Sequence, residues 1–497
     1  MQNALLKRLT WACAAAICLA SCTTGVLAQD RPDPRFADIR NLVEAHVDAG
    51  LFEGVILVAE GDTVIFHEAY GFADRTWGIP NQRDTRFHIG SIGKQMTGAI
   101  VMQLIEEGKL SLDMTISDIL PEYPVVHGDK VTLNVLLNHT SGIPNYTSMP
   151  EYRSRASNAA TRKDVLALFK DKPLEFEPGT NFSYNNSGFF LLSVMIEEIE
   201  GQPYGQVLQR RLFDALSLQD MGYIDHGSII PNFAEGYNWT GTGYAPEVST
   251  DESWILGNAQ IYADADDLLK WTNALYAGEP FRTAESRDLM LELPEGKERN
   301  YSFGFGNVTL RLGDKTYQGA GHSGALGGFR STQSRIVEPK WTIIALSNIG
   351  SEQNELSNRI ALLLAGAQYT FPKPPISRQV SQRLATDGVE ATRSWFLSEL
   401  ANQNSQYDID EIGMNSLGYS YLSNGEISSA ILVLSLNNQA YPESANTYDS
   451  LGEAYLVAGD KPSALANYKI ALEMDPANSN AKAQVNALRG TVLMEQQ

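Results

Sequence analysis

The sequence predicts a layered α/β domain, with an antiparallel sheet flanked by helices, followed by a separate all-α module. Strand-like hairpins occur near both ends of residues 30–370, and the middle of that region has helical apolar spacing. About the last 120 residues carry only helical patterns, and these repeat every 34 residues. We therefore expect a sheet assembled from both ends of the first domain, with a helical subdomain inserted between them.

Two hairpins define the predicted sheet. Residues 55–59 and 63–70 read as strands around Gly61-Asp62, a pair that favours a tight turn. Residues 329–337 and 341–348 read as a second pair across Glu338-Pro-Lys. Helices are predicted from the apolar period at residues 92–107, 189–199, 268–276 and 354–367.

The string Ser91-Ile92-Gly93-Lys94 contains a candidate nucleophile and a candidate base. A serine hydroxyl is a weak nucleophile at neutral pH, and residues three apart on a helix share a face. Lys94 is therefore placed to reach Ser91, and Ser91 at a helix N-terminus would be near N–H groups that favour developing negative charge. The same Ser-x-x-Lys string recurs at Ser479 to Lys482, so the string alone is not specific.

Two further strings complete a family pattern. Tyr184-Asn185-Asn186 precedes the apolar run 189–199, and His322-Ser323-Gly324 precedes the second hairpin. This order resembles the penicillin-recognising serine hydrolases, in particular the branch with class C β-lactamases, DD-peptidases, D-aminopeptidases and related esterases. The resemblance spans roughly residues 36–366 and implies a β-lactamase/transpeptidase-like domain. Further matching segments are Phe52 to Ala59, Ala69 to Phe72, Leu136 to Gly142 and Glu177 to Gly179.

The resemblance implies a role for each matching residue. Ser91 would attack a carbonyl and become acylated, and Lys94 and Tyr184 would share the work of general base and general acid. Which of these two is the principal base stays open, because burial and mutual charge shift both groups. The backbone N–H groups of Ser91 and Ala325 would form the oxyanion hole, and Asn186 would hold the substrate amide and orient Lys94. The implied substrate-binding residues are Asn186, His322, Gly324 and Ala325.

Two departures from the family pattern affect the expected substrate. Many β-lactamases of this branch carry lysine where His322 stands, and a histidine is mostly neutral at pH 7. The expectation that the substrate must carry a carboxylate is thereby weakened. A β-lactam becomes one possible substrate class beside peptides and esters. Relatives often have a Gly-Gly pair within the segment Gly257 to Tyr262, where this chain has Gln260. We expect Gln260 to narrow or repolarise one wall of the pocket.

A different catalytic serine is excluded by the histidine positions. Gly321 to Ala325 nearly matches the Gly-x-Ser-x-Gly elbow of α/β-hydrolases, which require a histidine after the serine. The last histidine of the chain is His322. No His-x-x-x-His pair occurs and the cysteines lie within the first 22 residues, so we expect neither a metal ion nor another cofactor. The acidic residues Asp264, Asp266 and Asp267 are expected to serve the dipole of the following helix.

Composition narrows the function further. The chain has 497 residues, 43% of them apolar, which supports sizeable cores in two or three domains. Its formal net charge of −21 argues against nucleic-acid binding, which needs clustered lysine and arginine.

The N-terminus predicts export. Lys7 and Arg8 precede an apolar run over residues 9–20, a pattern typical of the secretory signal that we assign to residues 1–28. Leu19-Ala20-Ser21-Cys22 resembles a bacterial lipobox, in which Cys22 would carry a lipid anchor, and cleavage after Ala28 is the alternative. We expect a periplasmic protein whose only membrane contact is this possible anchor. At most one cysteine remains after cleavage, so no internal disulfide is expected.

The C-terminal region has a repeat of its own. After a Pro-rich linker at residues 371–376, Leu417, Gly418, Tyr421, Ala430 and Pro442 recur 34 residues later as Leu451, Gly452, Tyr455, Ala464 and Pro476. This period and these residues resemble the tetratricopeptide repeat. We assign residues 377–497 to a helical module with repeats at about 411–444 and 445–478, capped by helices around 395–401 and 480–488. It could bind a protein partner in a groove or act as a buttress for the hydrolase domain.

Two functions from different classes remain. The first is an exported serine hydrolase that cleaves an amide or ester, in a peptide or other small substrate, through a Ser91 acyl-enzyme. The second is a catalytically idle scaffold that binds partner proteins through its repeats. The complete set of Ser91, Lys94, Tyr184 and Asn186 favours the enzyme, because a scaffold has no need for that chemistry.

Overall fold

A computed structural model describes residues 33–121, 128–225, 227–247, 250–292, 301–351 and 353–495. The strands are β1 Gly54–Glu60, β2 Thr63–Tyr70, β3 Phe72–Asp74, β4 Ile79–Pro80, β5 Phe87–His88, β6 Gly222–Tyr223, β7 Tyr237–Trp239, β8 Tyr244–Pro246, β9 Ile261–Ala263, β10 Tyr301–Ser302, β11 Phe305–Asn307, β12 Leu310–Leu312, β13 Lys315–Tyr317, β14 Gly319–Leu326, β15 Phe329–Ile336 and β16 Trp341–Ser347.

The α-helices are α1 Arg35–Asp48, α2 Lys94–Glu106, α3 Ile116–Ile119, α4 Leu133–Leu137, α5 Pro150–Arg155, α6 Arg162–Leu166, α7 Asn186–Glu200, α8 Tyr204–Leu208, α9 Ala265–Ala277, α10 Ala284–Leu291, α11 Gln353–Leu364, α12 Ile376–Thr386, α13 Val389–Ala401, α14 Glu411–Ser423, α15 Ile427–Ala440, α16 Ala445–Val457, α17 Lys461–Met474 and α18 Ser479–Glu495.

The main sheet has seven strands in the order β10-β11-β14-β15-β16-β1-β2, and every neighbouring pair is antiparallel. Strand β1 lies beside β16, so the two ends of the domain meet in one sheet as predicted. Both predicted hairpins, β1–β2 and β15–β16, are present. The element order therefore confirms an α/β layout in which the middle of the chain is inserted into the sheet.

The two faces of the sheet pack against different helices, because successive side chains of a strand point to opposite sides. Val55 and Leu57 of β1 face a core shared with α2, α7 and α9. Ile56 and Val58 face a second core formed with α1 and α11. All four side chains are completely buried. This two-sided burial explains why β1 is a continuous apolar run rather than an alternating one.

Most of the helices between β5 and β9 form the inserted subdomain. Helix α7 is capped by the side chain of Asn185, which accepts a hydrogen bond from the Gly188 N–H, and it ends at Gly201 in the left-handed region. Helix α9 is capped by Asp264, whose side chain accepts from the Asp267 N–H, as the acidic cluster predicted. These caps fix where each helix begins.

The C-terminal region consists of helices α12–α18, and consecutive helices from α14 to α18 pack on one another. Gly418 allows α14 to approach α15, because a Cβ there would lie 2.5 Å from the side chain of Leu434. Gly452 plays the same part against Tyr468, where the corresponding distance is 3.2 Å. The small residues of the 34-residue period therefore lie at the contacts between paired helices.

The helical region also touches the α/β domain. Arg378 of α12 lies 4.4 Å above the ring of Trp239 and donates a hydrogen bond of 3.3 Å to the Tyr244 hydroxyl. Residues 371–374 have no regular structure, and Pro375 forms an isolated bridge with Asp408. The predicted secretory signal and Cys22 lie outside the described residues. Within the described part of the chain, no helix has both the length and the apolar character needed to cross a membrane.

Candidate active site

Ser91 lies on a 3₁₀ turn, Gly90–Gly93, and Lys94 is the first residue of α2. The α-helix predicted over residues 92–107 therefore begins two residues later than expected, and Ser91 lies on the 3₁₀ turn that leads into it. The consequence for the chemistry is small, because a 3₁₀ turn also places residues i and i+3 on one side. Lys94 Nζ is 2.9 Å from Ser91 Oγ. By contrast, Ser479 and Lys482 of the second Ser-x-x-Lys string are both exposed on α18.

Glycines bring the Ser91 turn against β14. Gly90 has a φ of +53°, and a Cβ there would lie 2.8 Å from the backbone nitrogen of Ala325. A Cβ on Gly324 would lie 2.0 Å from the carbonyl oxygen of Ile89, which leaves no room for a side chain. The Ser331 hydroxyl donates to that same carbonyl at 2.7 Å. The backbones that carry Ser91 and Ala325 are thus held side by side, as an oxyanion hole requires.

Lys94 is completely buried. Its amine donates to the backbone carbonyl of Asn258 at 3.2 Å and lies 5.0 Å from the centre of the Tyr184 ring. No carboxylate among the described residues pairs with it, and burial lowers the pKa of Lys94 well below its usual value, because an apolar environment disfavours the cation. The site therefore favours a neutral amine next to the nucleophile.

Tyr184 lies two residues before the start of α7, and its side chain also lies next to Ser91 and Lys94. Its hydroxyl is buried and has no well-formed hydrogen bond among the described residues. Burial raises the pKa of Tyr184, and the nearby hydroxyls of Ser91 and Tyr301 offset only part of the rise. Tyr184 is thus a protonated phenol in this structure.

Asn186 lies at the start of α7, but its contacts differ from those expected. Its Nδ2 donates to the Thr147 hydroxyl at 2.9 Å, and its backbone N–H donates to Asn145 Oδ1 at 3.2 Å. Among the described residues, Lys94 is oriented by Asn258 and Ser91 and has no hydrogen bond to Asn186. The buried Asn186 Oδ1 has no partner in the part of the chain described here, so it could still accept a substrate amide.

His322 is engaged on both ring nitrogens. Nδ1 lies against the backbone carbonyl of Ser323, and Nε2 is 3.0 Å from the Tyr301 hydroxyl. A carbonyl can only accept, so Nδ1 carries the proton and Nε2 accepts from Tyr301. Burial is the main cause that lowers the pKa of His322 to about 3, which keeps the ring neutral. Ser323 itself is exposed in the middle of β14, opposite Thr332, and not on a nucleophile elbow.

His139 supports this group from beneath. Its ring centre lies 4.3 Å from those of Tyr184 and of Tyr301, and it is completely buried. Its Nδ1 accepts the backbone N–H of Asn185 at 3.1 Å. Burial is the main cause that lowers the pKa of His139 well below its usual value. The ring therefore packs as a neutral aromatic group against Tyr184 and Tyr301.

Gln260 was expected to form one wall of the pocket, but it does not line the cleft at Ser91. It is buried, and its Nε2 donates to the carbonyl of Ile224 at 2.9 Å, so it links β9 to the segment after β6. The residue of this segment that contacts the site is Asn258, whose backbone carbonyl accepts a hydrogen bond from Lys94. A residue of any type would supply that carbonyl. No residue-type signal could have identified that contact.

The sequence also missed Tyr301 and Arg330. Tyr301 belongs to a strand of two residues, too short for a periodic pattern, and it reaches the site only because β10 is the edge strand next to β11. Arg330 follows the His-x-Gly string by six residues and is directly opposite Ala325 in the β14–β15 pair. Its position after a glycine turn is the one signal that places it near the site.

All of the predicted site residues except Lys94 and Asn186 border one cleft of about 720 Å³. Its lining includes Ser91, Tyr184, His322, Gly324, Ala325 and Arg330. A second hollow of about 500 Å³ continues from it past Tyr184, Tyr301 and His322. The structure thus brings the predicted nucleophile, Tyr184 and the predicted oxyanion residue to one opening. Lys94 does not line that opening but is buried 2.9 Å from Ser91 Oγ.

Comparisons with known proteins agree with this arrangement. A family model described as Beta-lactamase matches residues 39–367. Penicillin-binding protein 4* of Bacillus subtilis is 26% identical over 385 residues, covering 71% of this chain and 84% of that protein. The D-aminopeptidase of Brucella anthropi is 25% identical over 359 residues, or 70% of this chain and 64% of the relative. A solved penicillin-binding protein from Bacillus halodurans superposes with a TM-score of 0.58 at 26% identity, covering 65% and 98% of the two chains.

Proposed function

Because the chain belongs to the β-lactamase family of serine hydrolases, we propose that it cleaves an amide or ester bond through a Ser91 acyl-enzyme. The observation that carries this proposal is the 2.9 Å separation between Ser91 Oγ and the buried amine of Lys94. Such an arrangement activates a hydroxyl that is otherwise a weak nucleophile.

Lys94 is the better candidate for the base that acts first. A base must be unprotonated, and burial lowers the pKa of Lys94 while it raises that of Tyr184. A neutral amine can donate to the Asn258 carbonyl and still direct its lone pair at the Ser91 hydroxyl. Tyr184, protonated at rest, would then give its proton to the leaving group and recover one from Lys94.

The oxyanion of the tetrahedral intermediate would be stabilised by backbone N–H groups of Ser91 and Ala325. The close approach of the two segments at Gly90 and Gly324 supports this assignment. Losing one such donor typically costs about 3–4 kcal/mol in the transition state. Asn186 Oδ1, which is buried and unpartnered among the described residues, would accept a substrate N–H.

For the acyl group we propose a D-amino-acid residue or a peptide that contains one. Sequence similarity to a D-aminopeptidase over 70% of this chain supports that substrate class. A panel of D- and L-aminoacyl amides and esters would test it, and equal turnover of both stereoisomers would contradict it.

The acyl-enzyme is tested by covalent labelling with a fluorophosphonate and a fluorescent penicillin. We expect an adduct with at least one probe that disappears in Ser91→Ala. Ser479→Ala is the matched control, because it removes the serine of the exposed Ser-x-x-Lys string and should label like the wild type. No adduct, together with no turnover of amides, esters and cephalosporins, would leave the idle scaffold as the better reading.

For residues 377–497 we propose a tetratricopeptide-repeat module that acts as a buttress for the hydrolase domain. The contacts of Arg378 with Trp239 and Tyr244 support a buttress over a free binding groove. We expect Arg378→Ala to lower the unfolding temperature of the hydrolase domain, whereas a variant with an unchanged temperature would favour a groove for a protein partner.

We also propose export to the periplasm with a lipid anchor at Cys22. The apolar run at residues 9–20 and the Leu-Ala-Ser-Cys string support this. Mass spectrometry of the mature N-terminus tests it, since a lipid-modified Cys22 is expected and an N-terminus at Gln29 would contradict the anchor.

A further inference from the structure

We propose that Arg330 binds a carboxylate on the leaving group of the substrate, in place of the cation that many relatives carry at the position of His322. The proposal rests on the acyl-enzyme function argued above. It names a specificity residue for that reaction and the class of substrate the cleft selects.

His322 is unsuited to bind a carboxylate. Its Nδ1–H is used by the Ser323 carbonyl, and its Nε2 is an acceptor for the Tyr301 hydroxyl. A carboxylate needs a donor, and this ring has none left to offer. Burial also lowers the pKa of His322 to about 3, so the ring stays neutral. Any anion in the cleft therefore needs another partner.

Arg330 lies in the right place to be that partner. It is the residue paired with Ala325 across the β14–β15 ladder, so the two side chains share one face of the sheet about 5 Å apart at Cβ. It also borders the same cleft as Ser91 and Tyr184. An anion held by Arg330 would thus sit beside the bond under attack.

The guanidinium is held in place on one side and open on the other. Its Nη1 donates to the carbonyls of Gly327 and Phe329, at 2.9 and 2.8 Å. Its Nε and Nη2 have no acceptor among the described residues, and no described carboxylate lies within 4 Å of it. A fixed arginine with unused donors matches the two oxygens of a carboxylate.

The charges around Arg330 leave it cationic and available. Burial lowers its pKa and the charge of Glu247 opposes that shift, but a guanidinium stays protonated at neutral pH. Glu247 is hydrogen-bonded by Asn238. Glu355, the acidic residue that borders the cleft, is paired with Arg359. Each of these carboxylates therefore has a partner other than Arg330.

The leaving group is the part of the substrate that reaches Arg330. Tyr184, the proposed proton donor to the leaving group, borders the same cleft. In acylation the Ser91 Oγ–carbon bond forms, the carbon–heteroatom bond breaks, and the Ser91 proton passes through Lys94 and Tyr184 to the departing atom. A carboxylate on that departing fragment would lie between Tyr184 and Arg330.

A matched pair of thioesters tests the proposal. Both carry the same N-acetyl-D-alanyl group, and the leaving groups are thioglycolate and its neutral carboxamide. We expect the wild type to prefer thioglycolate. Arg330→Gln should lower kcat/KM for thioglycolate about 10- to 100-fold, the value of a charged hydrogen bond, and change the carboxamide less than about threefold. Arg330→Lys should restore part of the lost kcat/KM for thioglycolate. Arg153→Gln, at an exposed arginine of α5, should change kcat/KM for neither thioester.

Labelling by the neutral fluorophosphonate separates the possible failures. If Arg330→Gln labels at the wild-type rate, its fold and Ser91 are intact, and the two kcat/KM values then decide the proposal. Equal losses on both substrates, no loss on either, or a wild type that prefers the carboxamide would overturn the role of Arg330 alone. A wild type that neither labels nor turns over either thioester would overturn the acyl-enzyme itself.

Discussion

The Tyr301 hydroxyl and His322 Nε2 lie 3.0 Å apart, and this contact determines where the histidine proton resides. The carbonyl of Ser323 takes the Nδ1 proton, so the second nitrogen is an acceptor. The ring of Tyr301 also meets that of Tyr184 edge-on at 5.8 Å. One buried tyrosine therefore links the histidine of the third string to the phenol of the second.

Replacing Tyr301 should lower the free energy of unfolding of the folded protein. Tyr301→Phe removes the donor and leaves the Nε2 of His322 without its partner, so we expect a loss of about 1–3 kcal/mol in unfolding free energy. The ¹⁵N resonance of Nε2 should shift at the same time. Tyr317→Phe is the control, because that hydroxyl has no hydrogen bond among the described residues. Unchanged stability with an unchanged Nε2 resonance would contradict the contact.

The pH dependence of acylation should reveal the state of Lys94. Burial holds its pKa well below the usual 10.5, so the amine loses its proton at a lower pH than an exposed lysine does. Fluorophosphonate labelling of Ser91 should therefore level off well below pH 10. Lys94→Met should reduce labelling by about 10²–10⁴-fold, the usual contribution of a general base. A rate that still rises tenfold per pH unit from pH 8 to pH 10 would show an ordinary lysine.

A methyl group on Gly324 should damage the oxyanion hole. The added Cβ would lie 2.0 Å from the Ile89 carbonyl, so the Ser91 turn and β14 must separate. We expect Gly324→Ala to lower the acylation rate by about 10²-fold or more, as the loss of an oxyanion donor does. Gly243→Ala is the matched control, since a Cβ there meets no atom within 4 Å. Equal rates in the two variants would refute the close approach.

Motif residues were predictable from the sequence, and the groups that orient them were not. Ser91, Tyr184 and Ala325 border one cleft, and Lys94 lies next to Ser91 and Tyr184. Each belongs to a string with its own spacing and a strong neighbouring element. The apolar runs around them fixed the sheet and the main helices, since a buried strand or helix face has a period that sequence reveals.

Contacts that depend on tertiary packing leave no such periodic signal in the sequence. Lys94 is oriented by the backbone of Asn258, and the expectation that Asn186 does so rested on resemblance alone. Tyr301 reaches the site from a two-residue edge strand. A residue of this kind is identified only when the sheet order is known, because its role depends on which strand lies beside it.

The carboxyl of Asp264 should make folding stability fall as pH rises. Burial is the main cause that raises its pKa from 3.8 to about 7, while the N–H of Asp267 opposes the rise. Between about pH 4 and pH 7 the unfolded chain loses this proton and the folded one keeps it, so stability declines across that window. Asp264→Asn removes the ionisation but keeps an oxygen to cap α9. We expect it to be more stable than the wild type by about 1–3 kcal/mol at pH 8 and to lose that advantage near pH 4.

Urea unfolding from pH 4 to pH 8 measures this difference in stability, with Asp314→Asn at an exposed turn as control. A constant difference across that range would rule out a raised pKa at Asp264.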